Sequence, residues 1–591
     1  MEAPIVEDPS AAAATSRRPR AALAAACVCT LLVFCARIDG LPRAALASGT
    51  NALTFDCESP AAELVCAAAL SGAEPGATYE LTFVYRRKGA PAAFRSRPLN
   101  ATADAAGTLS GHLFRLRARA AYRVEATALR GARDIRASST LVAPAFRGGA
   151  TFDGTDRFAT KVDGNASALE LVLMGATVGD VESDGWRGLV AVDAEGYVVW
   201  GLAKNALCAF AKLEDHRFVV SSVPAMAGAQ PECASQSVFR DGRSLTSRLE
   251  VFAPSGGLAG GVFAEACVGE PKNYRSLSHL VAPSAALREE SILTVESRVE
   301  LYESGVVVQK AATRAARVDR VVRWVPGNDA VATVVDLAST FPAGATRDYE
   351  PATIFEENDL TCDGGELSRH VPYWMHADGV YETAAGGVLV SVRNFNAVAL
   401  FDANGGLAWT LAAPHGGSGG VASNFTFADE SEAFYAPHAP VLSADGARLY
   451  AVDDGTARPG CAKQRDHVFV QCWSRAVAYD LDFGSMTAAL AWEVELPEGF
   501  GEDGFAAADA YNPDGGRVVP LATPGYVLVA FGNLHDNARD AAFGQDSVVL
   551  VYDEVAARVV FELRAPRSHW LAGDFTFEAV GSIAGEARHR V

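Results

Sequence analysis

Three histidines and one arginine share related sequence contexts, and their side chains suit group-transfer chemistry. The chain of 591 residues has only 11 histidines, and His279, His376 and His438 each lie just before or within a predicted strand. Arg393 ends the predicted strand that follows His376. A neutral imidazole can attack an electrophile or take a proton, and a guanidinium binds two oxygens of one anion. These four residues are the candidate catalytic residues.

The elements that must position them belong to an internal repeat that begins near residue 150. In each unit a strand ends in an acidic turn with Gly, and the next strand ends in a large apolar residue. The two clear copies are Gly188–Asp193 with Gly196 and Trp200, and Ala397–Asp402 with Gly405 and Trp409. Looser copies lie near 248–264, 317–336, 476–494 and 548–563. Six copies, each with room for four strands, predict a six-bladed β-propeller over residues 150–591.

A smaller unit precedes the repeat. Residues 50–148 contain short alternating stretches such as Tyr79–Tyr85 and Tyr122–Ala126, separated by turns rich in Gly, Pro and Ala. This pattern is typical of a small antiparallel β-sandwich of the fibronectin III or immunoglobulin type. The predicted fold class is therefore all-β: a six-bladed β-propeller preceded by a small N-terminal β-sandwich.

Residues 1–49 have the pattern of a targeting segment. Arg17, Arg18 and Arg20 precede the uncharged run Ala21–Ala36, which Arg37 closes. The run fits the apolar region of a signal peptide better than a full membrane span, and an uncleaved signal anchor stays open as the alternative. Either reading predicts the secretory pathway, with the protein secreted or held by a single-pass anchor and facing the lumen or exterior.

The cysteines and sequons agree with export. Eight of the 11 cysteines lie outside the apolar run, an even number that favours disulfides. The predicted local pairs are Cys57–Cys66 and Cys461–Cys472. Candidate glycosylation sites are Asn100, Asn165 and Asn424.

Charge and missing motifs narrow the partners. The formal net charge of −20 argues against nucleic acid and anionic membranes, although it leaves room for a local cationic pocket. The sequence has no phosphate-binding Gly-x-x-x-x-Gly-Lys motif, and its cysteine spacings match no zinc pattern. We therefore expect neither a cofactor nor a metal.

The contexts of the histidines resemble the bacterial arylsulfate sulfotransferases, which work without a nucleotide sulfate donor. The resemblance covers most of residues 180–580. Its best segments are His376–Val380 with Ser391–Val398, Pro437–Ala439 with Val452–Gly455, and Ser474–Tyr479. It implies the same propeller and sandwich, and transfer of a sulfuryl group from an aryl sulfate to a phenol through a sulfated histidine. The implied partners are a small aryl sulfate donor and a phenol acceptor.

The resemblance also implies roles for single residues. His438 matches the nucleophile, His376 and Arg393 match residues that bind the sulfuryl oxygens, and His279 matches a further active-site histidine. Asp378 stands where the family has Asn. Since a carboxylate repels a sulfate, Asp378 either pairs with a cation or changes the choice of donor. Asp378 and, from the last matching segment, Arg475 are the candidate substrate-binding residues.

The residue types also suit this chemistry. Sulfuryl transfer is comparable to phosphoryl transfer, in which negative charge lies on peripheral oxygens and catalysis is mainly positioning and electrostatic stabilisation. Two other functions remain open. One is a propeller that binds a protein or a sulfated glycan without catalysis. The other, ranked last, is a propeller dehydrogenase with a bound quinone.

Overall fold

The computed structural model describes most of the chain after residue 50. The described residues are 51–58, 60–96, 98–146, 157–163, 171–178, 186–204, 207–213, 217–222, 246–256, 258–265, 275–283, 291–308, 311–326, 328, 331–341, 374–413, 423–456, 458–465, 468–470, 472–496, 510–511, 515–521, 523–536, 546–565 and 577–580. The predicted targeting segment and Asn165 lie outside them. Within these ranges no helix is long and apolar enough to cross a membrane.

The described structure is all-β. Its only helical segments are three 3₁₀ turns at Leu337–Ser339, Arg393–Phe395 and Glu430–Glu432. The first eight strands are β1 (Leu53–Asp56), β2 (Cys66–Ser71), β3 (Thr78–Arg87), β4 (Phe94–Arg95), β5 (Leu99–Thr102), β6 (Thr108–Leu113), β7 (Ala121–Arg130) and β8 (Arg133–Val142). They form two antiparallel sheets, β1-β2-β6 and β4-β3-β7-β8, and β5 also pairs with β3.

Alternation of residue type explains how these two sheets share one core. Along β3, Tyr79, Leu81, Phe83 and Tyr85 are buried while their neighbours are exposed or half-buried. Successive side chains of a strand point to opposite faces, so these four line one face. Residues of both sheets belong to one hydrophobic cluster. A Cβ added at Gly111 on β6 would lie 2.7 Å from Phe83 Cε2, which shows how closely the layers meet.

Six larger sheets and one two-stranded hairpin are built from the remaining strands. They are β9 (Ala159–Val162), β10 (Leu171–Val178), β11 (Trp186–Asp193), β12 (Val198–Ala203), β13 (Leu207–Lys212), β14 (Phe218–Ser222), β15 (Thr246–Phe252), β16 (Leu258–Glu265), β17 (Arg275–Pro283), β18 (Ile292–Val308), β19 (Ala311–Trp324), β20 (Val331–Asp336), β21 (Ala377–Glu382), β22 (Val388–Val392), β23 (Ala397–Phe401), β24 (Leu407–Ala412), β25 (Thr426–Phe427), β26 (Pro437–Leu442), β27 (Arg448–Asp453), β28 (Ala462–Arg465), β29 (Val468–Val470), β30 (Arg475–Asp482), β31 (Thr487–Glu495), β32 (Ala510–Tyr511), β33 (Arg517–Pro520), β34 (Tyr526–Asp536), β35 (Asp546–Asp553), β36 (Arg558–Ala565) and β37 (Phe577–Val580).

Each of these six sheets has a core of four antiparallel strands. Sheet 1 is β37-β10-β11-β12, sheet 2 is β13-β14-β15-β16, sheet 3 is β17-β18-β19-β20, sheet 4 is β21-β22-β23-β24, sheet 5 is β26-β27-β30-β31 with β25 at its edge, and sheet 6 is β33-β34-β35-β36 with β9 at its edge and β32 on β34. The small hairpin β28-β29 projects between β27 and β30. The architecture is propeller-like.

The repeat read from the sequence corresponds to one hairpin per sheet, formed by its third and fourth strands. The six hairpins are β11-β12, β15-β16, β19-β20, β23-β24, β30-β31 and β35-β36, and each shifts register once at an equivalent position. The acidic turn residue has a local role. Asp193 Oδ1 accepts hydrogen bonds from the backbone N–H of Glu195 and Tyr197, and Asp402 Oδ1 does the same in sheet 4. A side chain that caps its own turn makes the hairpin locally stable.

Neighbouring sheets pack through apolar faces and aromatic residues. The ring centroids of Trp200 in sheet 1 and Phe218 in sheet 2 lie 5.0 Å apart, and those of Trp492 in sheet 5 and Tyr552 in sheet 6 lie 5.1 Å apart. Both pairs of rings are tilted relative to each other. Consecutive first strands lie against each other, with β13 next to β17, then β21, β26, β33 and β37. The packing of the first strands therefore brings residues that are distant in the sequence into one region of the structure.

Both predicted local disulfides are confirmed, Cys57–Cys66 and Cys461–Cys472. The second closes the base of the β28-β29 hairpin. Disulfides are typical of an oxidising, extracellular compartment, which agrees with the prediction of export at that level. The side chains of the other cysteines lie outside the described part of the chain, and their pairing is not tested.

Candidate active site

The candidate histidines lie at irregularities of three neighbouring first strands. His279 lies on β17, inside a register shift between Leu277 and Val281. His376 immediately precedes β21, which shifts register across Asp378, and His438 on β26 is the last paired residue before a similar shift. Bulges re-aim side chains and are frequent next to active sites. The side chain of His279 lies outside the described part of the structure, so its role stays a prediction.

His376, Asp378 and Arg393 form one buried charged cluster. Asp378 Oδ1 lies 3.0 Å from His376 Nε2, and its Oδ2 lies 3.2 Å from Arg393 Nε. The side chains of Asp378 and Arg393 are only 4% and 5% exposed. The sequence left open whether Asp378 pairs with a cation or changes the choice of donor. In the structure its carboxylate pairs with a cation, Arg393. Buried charges are tolerated when they are paired in this way.

The backbone around His376 holds this cluster in place. His376 has a positive φ of 54°, which directs its carbonyl oxygen to accept the Arg393 N–H at 3.0 Å. The Asn394 N–H donates to Met375 O at 3.1 Å, so the 3₁₀ turn that carries Arg393 is fixed to the start of β21. A non-glycine residue at positive φ is uncommon and costs conformational energy, and such residues concentrate at functional sites.

Arg393 also contacts the end of β27 in sheet 5. Its Nε lies 3.5 Å from Asp454 Oδ2, and its Nη2 donates to Thr456 Oγ1 at 3.3 Å. The guanidinium therefore lies between two buried carboxylates, one from each sheet. Among the described residues, the cluster combines one guanidinium and one imidazole with two carboxylates.

His438 occupies a different environment. It is buried, and its Nδ1 lies 2.8 Å from the carbonyl oxygen of Gly516, just before β33 of sheet 6. Because a carbonyl oxygen only accepts, Nδ1 carries the hydrogen in this bond. A neutral His438 then has its lone pair on Nε2. This is the tautomer that a nucleophilic imidazole needs.

A glycine brings the two site-bearing strands together. A Cβ added at Gly379 on β21 would lie 2.3 Å from Pro440 Cδ and 2.6 Å from Ala439 Cα on β26. Gly379 follows Asp378 and Ala439 follows His438, so backbone contact joins the charged cluster to the segment of the nucleophile candidate. Only a residue without a side chain permits this approach.

Asn396 forms a second link between sheets 4 and 5. It ends the Arg393–Phe395 turn in the left-handed conformation, with φ 47°, and its Oδ1 accepts the Ala436 N–H at 2.8 Å. Ala436 lies two residues before His438 and itself has a positive φ of 53°. Asn396 was not among the candidate residues of the sequence, so this link was missed.

Arg475 lies in a neighbouring cluster and makes the contacts of a structural tie. Its guanidinium donates to Asp453 Oδ2 at 2.9 Å, to Glu432 O at 2.8 Å and to Ala433 O at 3.1 Å, and it pairs with Glu493. Asp453 is the last residue of β27, and Asp454 directly follows it. Asp453 serves this tie while Asp454 faces Arg393. A substrate-binding role for Arg475 stays a prediction that these contacts do not support.

Other residues were missed because their function depends on the partner sheet. Asp319 of sheet 3 accepts the Ser297 hydroxyl at 2.6 Å and the Ala377 N–H at 2.9 Å, which fixes the residue next to His376. Asp454 and Thr456 lie in a stretch that the sequence indicates as a turn. An acidic pair directly after a buried strand was the available signal. In the part of the chain that the structure describes, no group of His, Cys, Asp and Glu is arranged to hold a metal ion.

The fold and the site define a class: an all-β, propeller-like protein with a buried cluster of histidine, arginine and carboxylate at adjoining first strands. Within that class, residues 315–568 match the model of the arylsulfotransferase (ASST) family. The match confirms, over these residues, the resemblance predicted from the sequence. The match includes His376, Asp378, Arg393 and His438 and leaves out His279. It supports arylsulfotransferase function in general terms.

No curated protein matches the chain. Among solved structures, a protein of unknown function from Bacteroides caccae shares 10% identity at a TM-score of 0.31, covering 67% of this chain and 94% of that chain. A DUF4784 family protein from Bacteroides caccae shares 11% identity at 0.27, covering 87% and 95%. A catalytically inactive virginiamycin B lyase from Staphylococcus aureus with quinupristin shares 7% identity at 0.26, covering 69% and 99%. TM-scores this low support no conclusion about this chain.

Proposed function

We propose that the protein moves a sulfuryl group from an aryl sulfate to a phenol in two steps, through a sulfated His438. The observation that carries the proposal is the hydrogen bond from His438 Nδ1 to Gly516 O, which leaves Nε2 as the lone-pair nitrogen. The family match over residues 315–568 supports the substrate class.

In the first step, Nε2 of His438 attacks the sulfur of the donor. The bond between sulfur and the aryl oxygen breaks, and a phenolate leaves. The sulfuryl group is then carried on Nε2 of an imidazolium, whose Nδ1–H continues to donate to Gly516 O. His376 and Arg393 bind the peripheral oxygens, where negative charge lies in a loose transition state.

In the second step, the oxygen of the acceptor phenol attacks the same sulfur. The bond between Nε2 and sulfur breaks, and His438 returns to its neutral form. The acceptor's proton passes to a neighbouring histidine acting as general base, for which His376 and His279 are the candidates. A group that is bound and released at one nitrogen requires no metal and no nucleotide.

The architecture we propose is a closed six-bladed propeller with a β-sandwich before it. Pairing of β37 with β10 supports closure, because it joins the last strand of the chain to the first of these sheets. The shared core of the two N-terminal sheets supports the sandwich. In a closed propeller the first strands line the axis, and His438, His376 and His279 then reach one central channel.

The test is a donor assay with the part of the chain after residue 50. The protein is incubated with a chromogenic phenyl sulfate, with and without a phenol acceptor, and the His438 peptide is examined by mass spectrometry for an added sulfuryl group. We expect phenol release without a nucleotide donor, and the adduct when the acceptor is left out. His438→Ala should lower turnover by more than about 10³-fold while the unfolding temperature stays close to the parent value.

A folded parent protein that releases no phenol and forms no adduct would contradict the proposal. That result would favour the alternative, a propeller that binds a protein or a sulfated glycan without catalysis. Phenol release that persists in His438→Ala would leave a transferase but would remove His438 as its nucleophile.

A further inference from the structure

The Asp378 carboxylate binds the two side chains that we propose hold the sulfuryl oxygens. One oxygen lies 3.0 Å from His376 Nε2 and the other lies 3.2 Å from Arg393 Nε. Two anionic oxygens, one on an imidazole and one on a guanidinium, form the arrangement that two oxygens of a sulfuryl group need on the same side chains. Asp378 therefore takes up donors that an anionic substrate requires.

Burial makes this competition strong. The side chains of Asp378, Arg393 and His376 are 4%, 5% and 11% exposed, so water screens their interactions weakly. Asp454 places a second carboxylate 3.5 Å from Arg393 Nε. Among the described residues of this cluster, an incoming sulfate would be a third anion beside the Arg393 guanidinium and His376. To bind at His376 Nε2 or Arg393 Nε, the sulfate has to displace Asp378 from that nitrogen.

We propose that Asp378 determines specificity by acting as an internal competitor for anions. Asp378 lowers the affinity of the site for small anions such as inorganic sulfate, whose binding depends on His376 and Arg393 alone. An aryl sulfate is penalised less, because the monoester carries one negative charge whereas inorganic sulfate carries two. The resemblance places a neutral Asn at this position in the arylsulfate sulfotransferases, and an Asn side chain brings no negative charge to compete with the anion. This inference rests on the proposed function for the identity of the substrate.

The decisive variant is Asp378→Asn in the chain after residue 50, because it removes the charge and keeps the shape. The control is Glu125→Gln on β7, an exposed carboxylate 3.3 Å from Arg123 that changes the net charge equally. Titration calorimetry with sodium sulfate at constant ionic strength measures anion binding without any turnover. Steady-state kinetics with a phenyl sulfate then separate KM from kcat.

We expect Asp378→Asn to bind inorganic sulfate at least about 10-fold more tightly than the parent, since a buried like charge is removed from the anion's position. The KM for the aryl sulfate should fall, by a smaller factor than the sulfate dissociation constant, and kcat should change less than KM. Glu125→Gln should match the parent in every measurement. Asp378→Ala should show the same gain in sulfate binding and serves if the Asn variant folds poorly.

Unchanged sulfate binding in both Asp378 variants, with unfolding temperatures near that of the parent, overturns the inference. An equal gain in Glu125→Gln also overturns it, because the effect would then come from net charge. The calorimetric arm keeps this failure separate from failure of the proposed function. If the protein shows no turnover but its Asp378 variants bind sulfate more tightly, Asp378 is supported as a competitor for anions. The same result would contradict the proposed sulfuryl transfer.

Discussion

The first strands of sheets 4 and 5 carry the two halves of the candidate site, and the two halves hold their side chains by different interactions. Around β21, His376, Asp378 and Arg393 form a braced network of charges. On β26, His438 is held through one ring nitrogen by the carbonyl oxygen of Gly516. In the proposed function the first half binds the sulfuryl oxygens in competition with Asp378, and the second supplies the lone pair of His438 Nε2. The guanidinium of Arg393 is fixed by its partners, and the imidazole of His438 is fixed in one tautomer.

The strongest test of this difference keeps the positive charge of Arg393 in the sheet 4 half and removes the planar geometry of its guanidinium. Arg393→Lys retains one positive charge but loses the planar group that reaches Asp378, Asp454 and Thr456. We expect kcat/KM for the aryl sulfate to fall by about 10²- to 10³-fold, the usual cost of losing one donor to a developing oxyanion. Steady-state kinetics measure the loss.

The matched control for Arg393→Lys is Arg448→Lys in sheet 5. Arg448 also bridges two carboxylates, with Nε 2.7 Å from Asp480 and Nη1 3.0 Å from Glu554, but it is partly exposed and makes none of the contacts of the site. Its replacement should leave kcat/KM within about twofold, as exposed pairs contribute little. If Arg393→Lys is as active as this control, charge alone is sufficient and the braced geometry is unimportant.

The contact between the two halves can be broken by adding one methyl group. In Gly379→Ala the new Cβ would lie 2.3 Å from Pro440 Cδ and 2.6 Å from Ala439 Cα, so β21 and β26 have to separate. We expect turnover to fall by about 10- to 100-fold, because a displacement of about 1 Å between reacting groups has that effect. Stability should fall by about 1–3 kcal/mol from overpacking.

Gly484→Ala is the control for this substitution. Gly484 lies in a turn of sheet 5, and its added Cβ would approach only the Asp482 side chain, at 3.1 Å. Chemical denaturation and the phenyl sulfate assay should show little change there. Equal turnover in Gly379→Ala and Gly484→Ala would mean that the two halves act without close contact.

Much of the fold was predictable because its signals are local. The acidic turns with Gly, followed by a strand that ends in a large apolar residue, repeat along the chain and mark the third and fourth strands of the sheets. The cysteine pairs are equally local, since each closes a short segment. These features depend on spacing within one hairpin, which a sequence displays directly.

The links of the site were less predictable because they join residues from different sheets. Asp454 contacts Arg393, and Asn396 contacts Ala436, across the boundary between sheets 4 and 5. Asp378 meets Arg393 within sheet 4. No local pattern records which groups will meet across sheets. The residues that do chemistry could be selected by type and by family resemblance. Their supporting partners could not, since the partners are ordinary turn and strand-end residues until the sheets pack.

Asn396 offers the mildest test of how the two halves are coupled. Its side chain is the acceptor for the Ala436 N–H, and its own φ of 47° suits Asn or Gly better than Ala. Asn396→Gly should lose about 1 kcal/mol of stability through the hydrogen bond, and Asn396→Ala about 1 kcal/mol more through the backbone. Turnover should fall only a few-fold, and equally in both variants, because the shared loss is the link toward His438. Chemical denaturation and kinetics on the pair separate the two causes. A fall in turnover that follows stability, larger in Ala than in Gly, would mean that Asn396 shapes its own turn and does not position the nucleophile.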